Sequence, residues 1–528
     1  MQTITLDDLP PGSFRNGYLG MSGDVSLPAL DGWQRTTTGD VSFWLHPTLR
    51  MSTARRADTA VLIAGEVVDL DASTTDGTRI AEGIAAAAAR GGIPAALRHV
   101  SDLGGRFACF VSTGGRFAAI PDCHGTQLIF WAQQPAGVAV SSHSHLLAEA
   151  VGADVDERTV ALLRTAKAMG TGGTLYQPAR LTPFVGVSPV LPNCHLIVEG
   201  PSAAPRHERF YPFPDTSLGD PADAYDTFRD LFRAHTRLLC DLGPVGISIT
   251  AGVDSRTTLA AARPHLAPGS FTFTWHDFDK ADPAEREDLD VGRAIAGHLG
   301  LPHTTVRLEP WEAGTAFATA FTRTFRHLPQ FPRAAQAVAT QLPEGFHQLQ
   351  SMCAEVGTGF YRKRTQQTVD AQRLAHLYSP RPFGQLPEVV AAHEELIAYA
   401  DFRQERLDPL DYHDLFYWET RLGRWAVLRM QEADLSHRML LPFNHRRIIE
   451  ALLSLPFEER QAKQPLHRFV AEHIGTELPA DTGGGRDGRA AKGAAAPLPL
   501  TRDHRRRTGS RWRPRRILAA VRRRLRSG

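Results

Sequence analysis

A single stretch constrains this chain more than any other. Residues 245–256 read VGISITAGVDSR: a β-branched apolar run, a turn of small residues, then the start of a helix. Small side chains at Thr250, Ala251 and Gly252 let backbone N–H groups approach an anion closely. Ser255 falls near the helix N-cap, and the helix N-terminus adds partial positive charge. Together they make a phosphate cradle. Asp254 beside it suits a Mg2+ ion that bridges phosphate oxygens. On these residues alone, an ordinary β-to-α turn with a capping serine remains open.

The flanking pattern predicts a parallel sheet. An amphipathic helix over Asp223–Leu239 precedes the stretch. After it, strands at Ser270–Thr274 and His303–Leu308 alternate with helices at Arg256–Arg263 and Asp288–Leu299. Alternation of this kind is the mark of a doubly wound α/β fold. Residues from about 310 to 473 read mainly as helix, with Tyr412–Glu432 the longest candidate. The first 210 or so residues read differently. Short strands at Thr59–Val68, Arg106–Ser112, Arg116–Ile120, Leu128–Trp131 and Val138–Ser142 are interrupted by helical patches at Asp76–Arg90 and Ser144–Val151. This is an α+β pattern with antiparallel pairing. The Pro-, Gly- and Asp-rich run Phe213–Ala222 reads as a linker, and glycine- and alanine-rich sequence begins after Pro479. The expected division is residues 1–212, residues 221–478, and a flexible arginine-rich tail over 479–528.

Three motifs in order resemble one family. Ser248–Ser255 resembles the S-G-G-x-D-S loop of the N-type ATP pyrophosphatases, in a T-A-G-V-D-S form. Ala354–Tyr361 (AEVGTGFY) resembles the D-E-x-x-G-G-Y segment of the asparagine synthetases and their relatives, the β-lactam synthetases and lasso peptide cyclases. Pro442–Arg446 (PFNHR) resembles the P-F-L-D-R segment, followed by the leucine–proline pair Leu455–Pro456. In the first half, Gly104–Ala108 and Asp122–Thr126 resemble the family's class II glutaminase domain, which has an Ntn-hydrolase fold. That domain uses a cysteine directly after the initiator methionine, where this chain has Gln2. A side-chain amide cannot replace a thiolate nucleophile. The resemblance therefore implies a degenerate glutaminase half and a synthetase half with a helical extension.

It also implies a chemistry. The family adenylates a carboxylate with ATP and Mg2+, then passes the acyl group to an amine with loss of AMP. Carried over residue by residue, Ser248, Thr250, Ala251, Gly252, Val253 and Ser255 bind phosphates, and Asp254 is the first metal ligand; Arg256, next after the loop, is a further phosphate contact or else forms a structural salt bridge. Phe273, on the next strand, flanks the adenine. Glu355 is the candidate second metal ligand or catalytic carboxylate, with a helix-cap or salt-bridge role as the plainer alternative. The family's late lysine has no well-spaced counterpart. Lys492 is the downstream candidate, and Lys463 and Arg486 are its rivals. Ala354 stands where relatives carry a metal-binding aspartate, so either Glu355 substitutes or one metal ligand is missing; Ser351 stands where the asparagine synthetases carry a glutamate, which weakens the case for aspartate as substrate.

Composition sets the outer bounds. The 528 residues carry 42% hydrophobic and 22% charged side chains, so two or three globular cores are expected. Arginines crowd 502–526, and a charge footprint confined to one tail does not mark a nucleic-acid enzyme. Its apolar residues Ile517, Leu518, Val521 and Leu525 recur at helical spacing, as a helix for a membrane surface, leader peptide or carrier partner would; a solvated tail is the plainer reading. The five scattered cysteines form no disulfide or zinc pattern, no 18-residue apolar run suggests a transmembrane segment, and the start lacks a signal-peptide pattern. The expectation is a cytoplasmic amide-forming ligase for a small-molecule or peptide carboxylate and an amine, in specialised metabolism. The alternatives are an ammonia-using asparagine synthase and a non-catalytic relative.

Overall fold

The computed structural model describes residues 2–475, apart from 170–175, 201–202, 280–281, 328–330, 365–367 and 381. The expected tail, with Arg486 and Lys492, lies outside the described residues.

Period-2 alternation builds the first half. Along strand Thr59–Asp69, Val61, Ile63 and Val67 point to one apolar cluster, while Leu62 and Ala64 point to another. Both faces are therefore covered. Two six-stranded sheets result, one centred on Leu103–Thr113 and Arg116–Pro121, the other on Tyr18–Ser22 and Gly137–Ser141. All their pairings are antiparallel. Phe43, Val140, Phe110 and Leu196, drawn from both sheets, share one core between them. Helix Gly77–Ser101 covers the outer face of the first sheet, and helix Ser144–Val151 the outer face of the second. The layers thus run helix, sheet, sheet, helix. Asp76 caps the first helix by accepting from Thr78 and Arg79 N–H groups. That helix runs past the expected Arg90, because apolar Ile93, Ala96, Leu97 and Val100 continue beyond a kink at Gly91–Gly92.

After residues 210–220 the chain enters helix Pro221–Cys240 and then a five-stranded, all-parallel sheet. Its order is His303–Arg307, Phe271–His276, Val245–Ser248, His347–Leu349, Arg438–Leu440. Numbered along the chain, that is 3-2-1-4-5, a doubly wound sheet whose direction of growth reverses between the first and fourth strands. The last two strands lie inside the stretch predicted to be mostly helical. The expected helix at Tyr412–Glu432 is present but not uniform. Its middle, Tyr417–Ala426, is wound as a π-helix between α-helical ends.

Charged residues join the halves. Arg106 meets Asp434 at 2.6 Å, and Arg438 meets Glu66 at 2.6 Å and Asp434 at 3.1 Å. Arg209 and Glu419 form a second buried pair at 2.6 Å.

Many histidines are interior. Burial pushes His124, His143, His207 and His437 down to about 3, and His235 and His393 to about 4. Their folded values lie below the unfolded value, so the neutral ring is the form that fits. This stability is present above pH ~6.5 and is lost as the pH falls toward the folded values, at up to ~1.4 kcal/mol per pH unit for each ring. A thermal melt series from pH 8 to 5 should therefore show a melting temperature that drops steeply below pH ~6.5; a flat profile over that window would contradict the assignment.

Candidate active site

The carboxyl ends of the first and fourth strands frame the site. In open α/β sheets, ligands bind in the crevice where strand order reverses. The turn 249–252 leaves the first strand there. Glu355 follows the fourth strand through a short turn and the helix Ala354–Gly357.

The turn is held from inside. Thr250 N–H donates to Ser255 Oγ at 3.1 Å, and Ser255 Oγ donates to the Gly252 carbonyl at 3.0 Å. Ala251 N–H donates to Asp288 Oδ1 at 2.9 Å, and Gly252 N–H to Thr250 Oγ1 at 3.2 Å. Asp288 reaches the turn because helix Pro283–His298 packs close to the sheet. A Cβ on its Gly292 would stand 2.5 Å from Thr274 Oγ1 and 3.3 Å from the Ile249 carbonyl. The amides expected to line the cradle thus also fix its shape. Helix Val253–Ala262 starts at Gly252, an N-cap with no side chain to occupy the first amides. The amides of Val253, Asp254 and Ser255, at the positive end of the helix dipole, are the strongest anion donors here.

The other expected residues are placed as follows. Ser248 ends the first strand opposite Phe273. Phe273 is fully buried in the core with Val306 and Val338, which leaves its backbone as the part able to flank a base. Arg256 is buried on the first turn of the helix. Glu355 is half-buried. It follows Cys353, a fully buried non-glycine residue at φ 81°. A left-handed conformation there is costly for a residue with a Cβ, and such positions cluster at functional sites.

Lys463 completes the arrangement. It also has a positive φ, 54°, at the start of helix Gln464–His473. Its Nζ lies 2.8 Å from Asp254 Oδ2, with the two side chains 12% and 17% exposed. Sequence spacing ranked Lys463 only as a rival to Lys492. The contact spans 209 positions, and no local pattern could have shown it. Asp288, which pins the turn, was not singled out either. Among the described residues, no group of three or more His, Cys, Asp or Glu forms a metal site.

Comparison with known proteins follows the same lines. Residues 227–342, which include the turn, Phe273 and Asp288, match the asparagine synthase family model. The chain carries an asparagine synthase family domain. The match over this stretch supports an ATP-dependent ligase- or amidotransferase-type domain. No curated protein matches the sequence significantly. Similar solved structures include glutamine phosphoribosylpyrophosphate amidotransferase from B. subtilis complexed with ADP and GMP. It is 12% identical, with 66% of this chain and 71% of that one covered and a TM-score of 0.23. Another, titled as the allosteric regulatory enzyme of purine biosynthesis, is 11% identical, with 65% and 70% covered and a TM-score of 0.22. At such overlap the fold has to be read from the sheets themselves.

Replacing Ser255 by Ala deletes the group that holds Thr250 N–H and ties it to Gly252. The expected cost is about 1 kcal/mol of stability, measured by denaturant titration. Stabilisation of the protein by ATP in a thermal-shift assay should fall with it.

Proposed function

We propose that this protein activates a carboxylate with ATP, releases pyrophosphate, and transfers the acyl group from the adenylate to an amine. The observation that carries this reading is the Lys463–Asp254 pair at the N-terminus of helix Val253–Ala262, where strand order reverses. A free carboxylate is a poor acyl donor because its leaving group would be oxide. The helix-terminal amides bind the phosphates, and Lys463 offers a cation to the charge that develops as pyrophosphate leaves. Lys463 thereby takes the role first assigned to Lys492.

The residues present suit Mg2+. Asp254 and Glu355 supply carboxylate oxygens and no histidine or cysteine joins them, which is the donor set of a hard cation completed by phosphates. The ion would neutralise phosphate charge. Asp254 must then divide its oxygens between Lys463 and the metal, so nucleotide and metal are expected to enter together.

The first half is not expected to hydrolyse glutamine. All five cysteines are buried. Burial pushes the thiols of Cys194 and Cys240 up to about 12, and those of Cys109, Cys123 and Cys353 higher still. A glutaminase needs an accessible thiolate at neutral pH. The amine is therefore taken directly, from a second substrate or from the same molecule in a ring closure, as fits specialised metabolism. A cytoplasmic reaction suits the need for ATP, and no described helix is long and apolar enough to cross a membrane.

ATP–pyrophosphate exchange tests the proposal. With a panel of carboxylic acids, Lys463→Met and Asp254→Asn should each lower exchange by ~100-fold or more, the usual effect of deleting a group that stabilises transition-state charge. Lys463→Arg should retain more activity than Lys463→Met. Exchange that survives both deletions, or wild-type protein that exchanges with no acid, would end this reading.

A further inference from the structure

Lys463 and Glu355 stand on separate helices far apart in the chain, yet one residue touches the backbone of both segments. Arg460, 5% exposed, lies in the short helix Phe457–Gln461. Its carbonyl accepts the Lys463 N–H at 2.9 Å. Its Nη1 donates to the Gly357 carbonyl at 3.1 Å, at the end of the helix that bears Glu355. Nη1 and Nη2 also donate to Asp414 Oδ2, at 3.2 and 3.3 Å. Asp414 is 3% exposed.

This brace is itself held in place. Arg364 donates from Nη1 to Asp414 Oδ2 at 2.9 Å and from Nη2 to Asp414 Oδ1, and it pairs with Asp411 at 3.0 Å. Bidentate bonds of this kind fix direction as well as distance. The guanidinium groups of Arg364 and Arg460 lie over the ring of Phe457, at 4.0 and 5.4 Å. Gly359 has φ 69°, and a Cβ there would stand 2.6 Å from the Phe457 ring and 3.2 Å from Arg364 Nη2. Glycine is what lets the segment after Glu355 approach this closely.

Lys463 needs such a hold. Its φ of 54° is costly for a residue with a Cβ, and persists only where the surroundings over-determine it. Helix Phe457–Gln461 has five residues, too few to fix the corner by itself. Buried ions supply what the helix lacks, because any shift would leave each of them without its partner. We propose that Arg460, anchored by Asp414, is a positioning residue that fixes the Lys463 amine against Asp254 and keeps the Lys463 corner in register with the Glu355 helix. Arg460 acts through Lys463 and not on the reacting atoms. The inference rests on the ligase reading.

A double-mutant cycle in ATP–pyrophosphate exchange tests it. With an acid that supports exchange, Arg460→Met should lower kcat about 10- to 100-fold, the range for a displacement of about 1 Å. The KM for ATP should change by less than about twofold, because the helix-terminal amides are untouched. In a Lys463→Met background the same substitution should change kcat by less than about twofold, since groups that act as a unit are not additive. Denaturant titration should show Arg460→Met losing the same stability in both backgrounds. Asp414→Asn keeps the side-chain shape and weakens the ion pairs, so it should give the same pattern with a smaller loss, and it serves as the readout if Arg460→Met does not fold. Equal fractional losses of kcat in the two backgrounds, or a kcat that holds while stability falls, overturn the inference and leave the ligase reading intact. No exchange with any acid overturns both.

Discussion

The buried charge seam between the halves is the constraint on which the rest of the molecule depends. Glu66, Arg106, Asp434 and Arg438 are each 5% exposed or less, and they come from two strands of an antiparallel sheet and from the approach to the last strand of the parallel one. Burial alone would raise the Glu66 carboxyl, but Arg438 and its hydrogen bond hold it below the ordinary value. Burial, with Arg438 close by, pushes Arg106 down to about 10. Such a network is often no more stabilising than well-packed apolar residues, yet it tolerates only one arrangement of its parts. Arg438 donates to Glu66, Asp434, Gln127 and the Arg106 carbonyl. Its strand cannot slip by one residue without breaking all four bonds. Because that strand pairs with His347–Leu349, the seam also fixes the strand that leads to Glu355.

From that edge the sheet passes order inward to the turn 249–252. Val245–Ser248 pairs on both sides, with Phe271–His276 and with His347–Leu349. Ser255, Thr250 and Asp288 then satisfy the turn's own amides before any ligand arrives. A loop already in shape loses little entropy on binding, so more of the contact energy can serve the transition state. The Lys463–Asp254 pair has the same effect on the charges.

Much of this was legible along the chain, and the limits have physical causes. Helix Ser144–Val151 and the starts of strands Thr59–Asp69 and Arg116–Pro121 fall where periodicity and turn residues predict them. The parallel sheet was visible only in its first three strands. His347–Leu349 and Arg438–Leu440 are three residues each, too short to show a period, and they are strands because their neighbours supply the ladder. The motif around Asp254 and Glu355 could be read because its residues are contiguous. Lys463 could not be ranked, because its role depends on packing between helices Val253–Ala262 and Gln464–His473.

These contacts also bear on why a half that lacks an accessible thiolate would be retained. Asn193 and Arg209 from the first half hold Glu419 and Arg446 of the second, and Asp122 and His124 meet Asn444 of the segment that resembles P-F-L-D-R. His124 is buried, its Nδ1 2.7 Å from Asn444 Oδ1, and burial pushes it down to about 3. It stays neutral and acts as a spacer rather than a base. Removing the first half would strip Glu419, Arg446 and Asn444 of these partners, leave Arg438 with Asp434 but without Glu66, and expose the apolar surface packed beside them to water. The first half thus contributes packing and polar partners to the second. Its sheet edge and inner loops take the place of the packing that the short strands and the π-helical turn cannot supply for themselves.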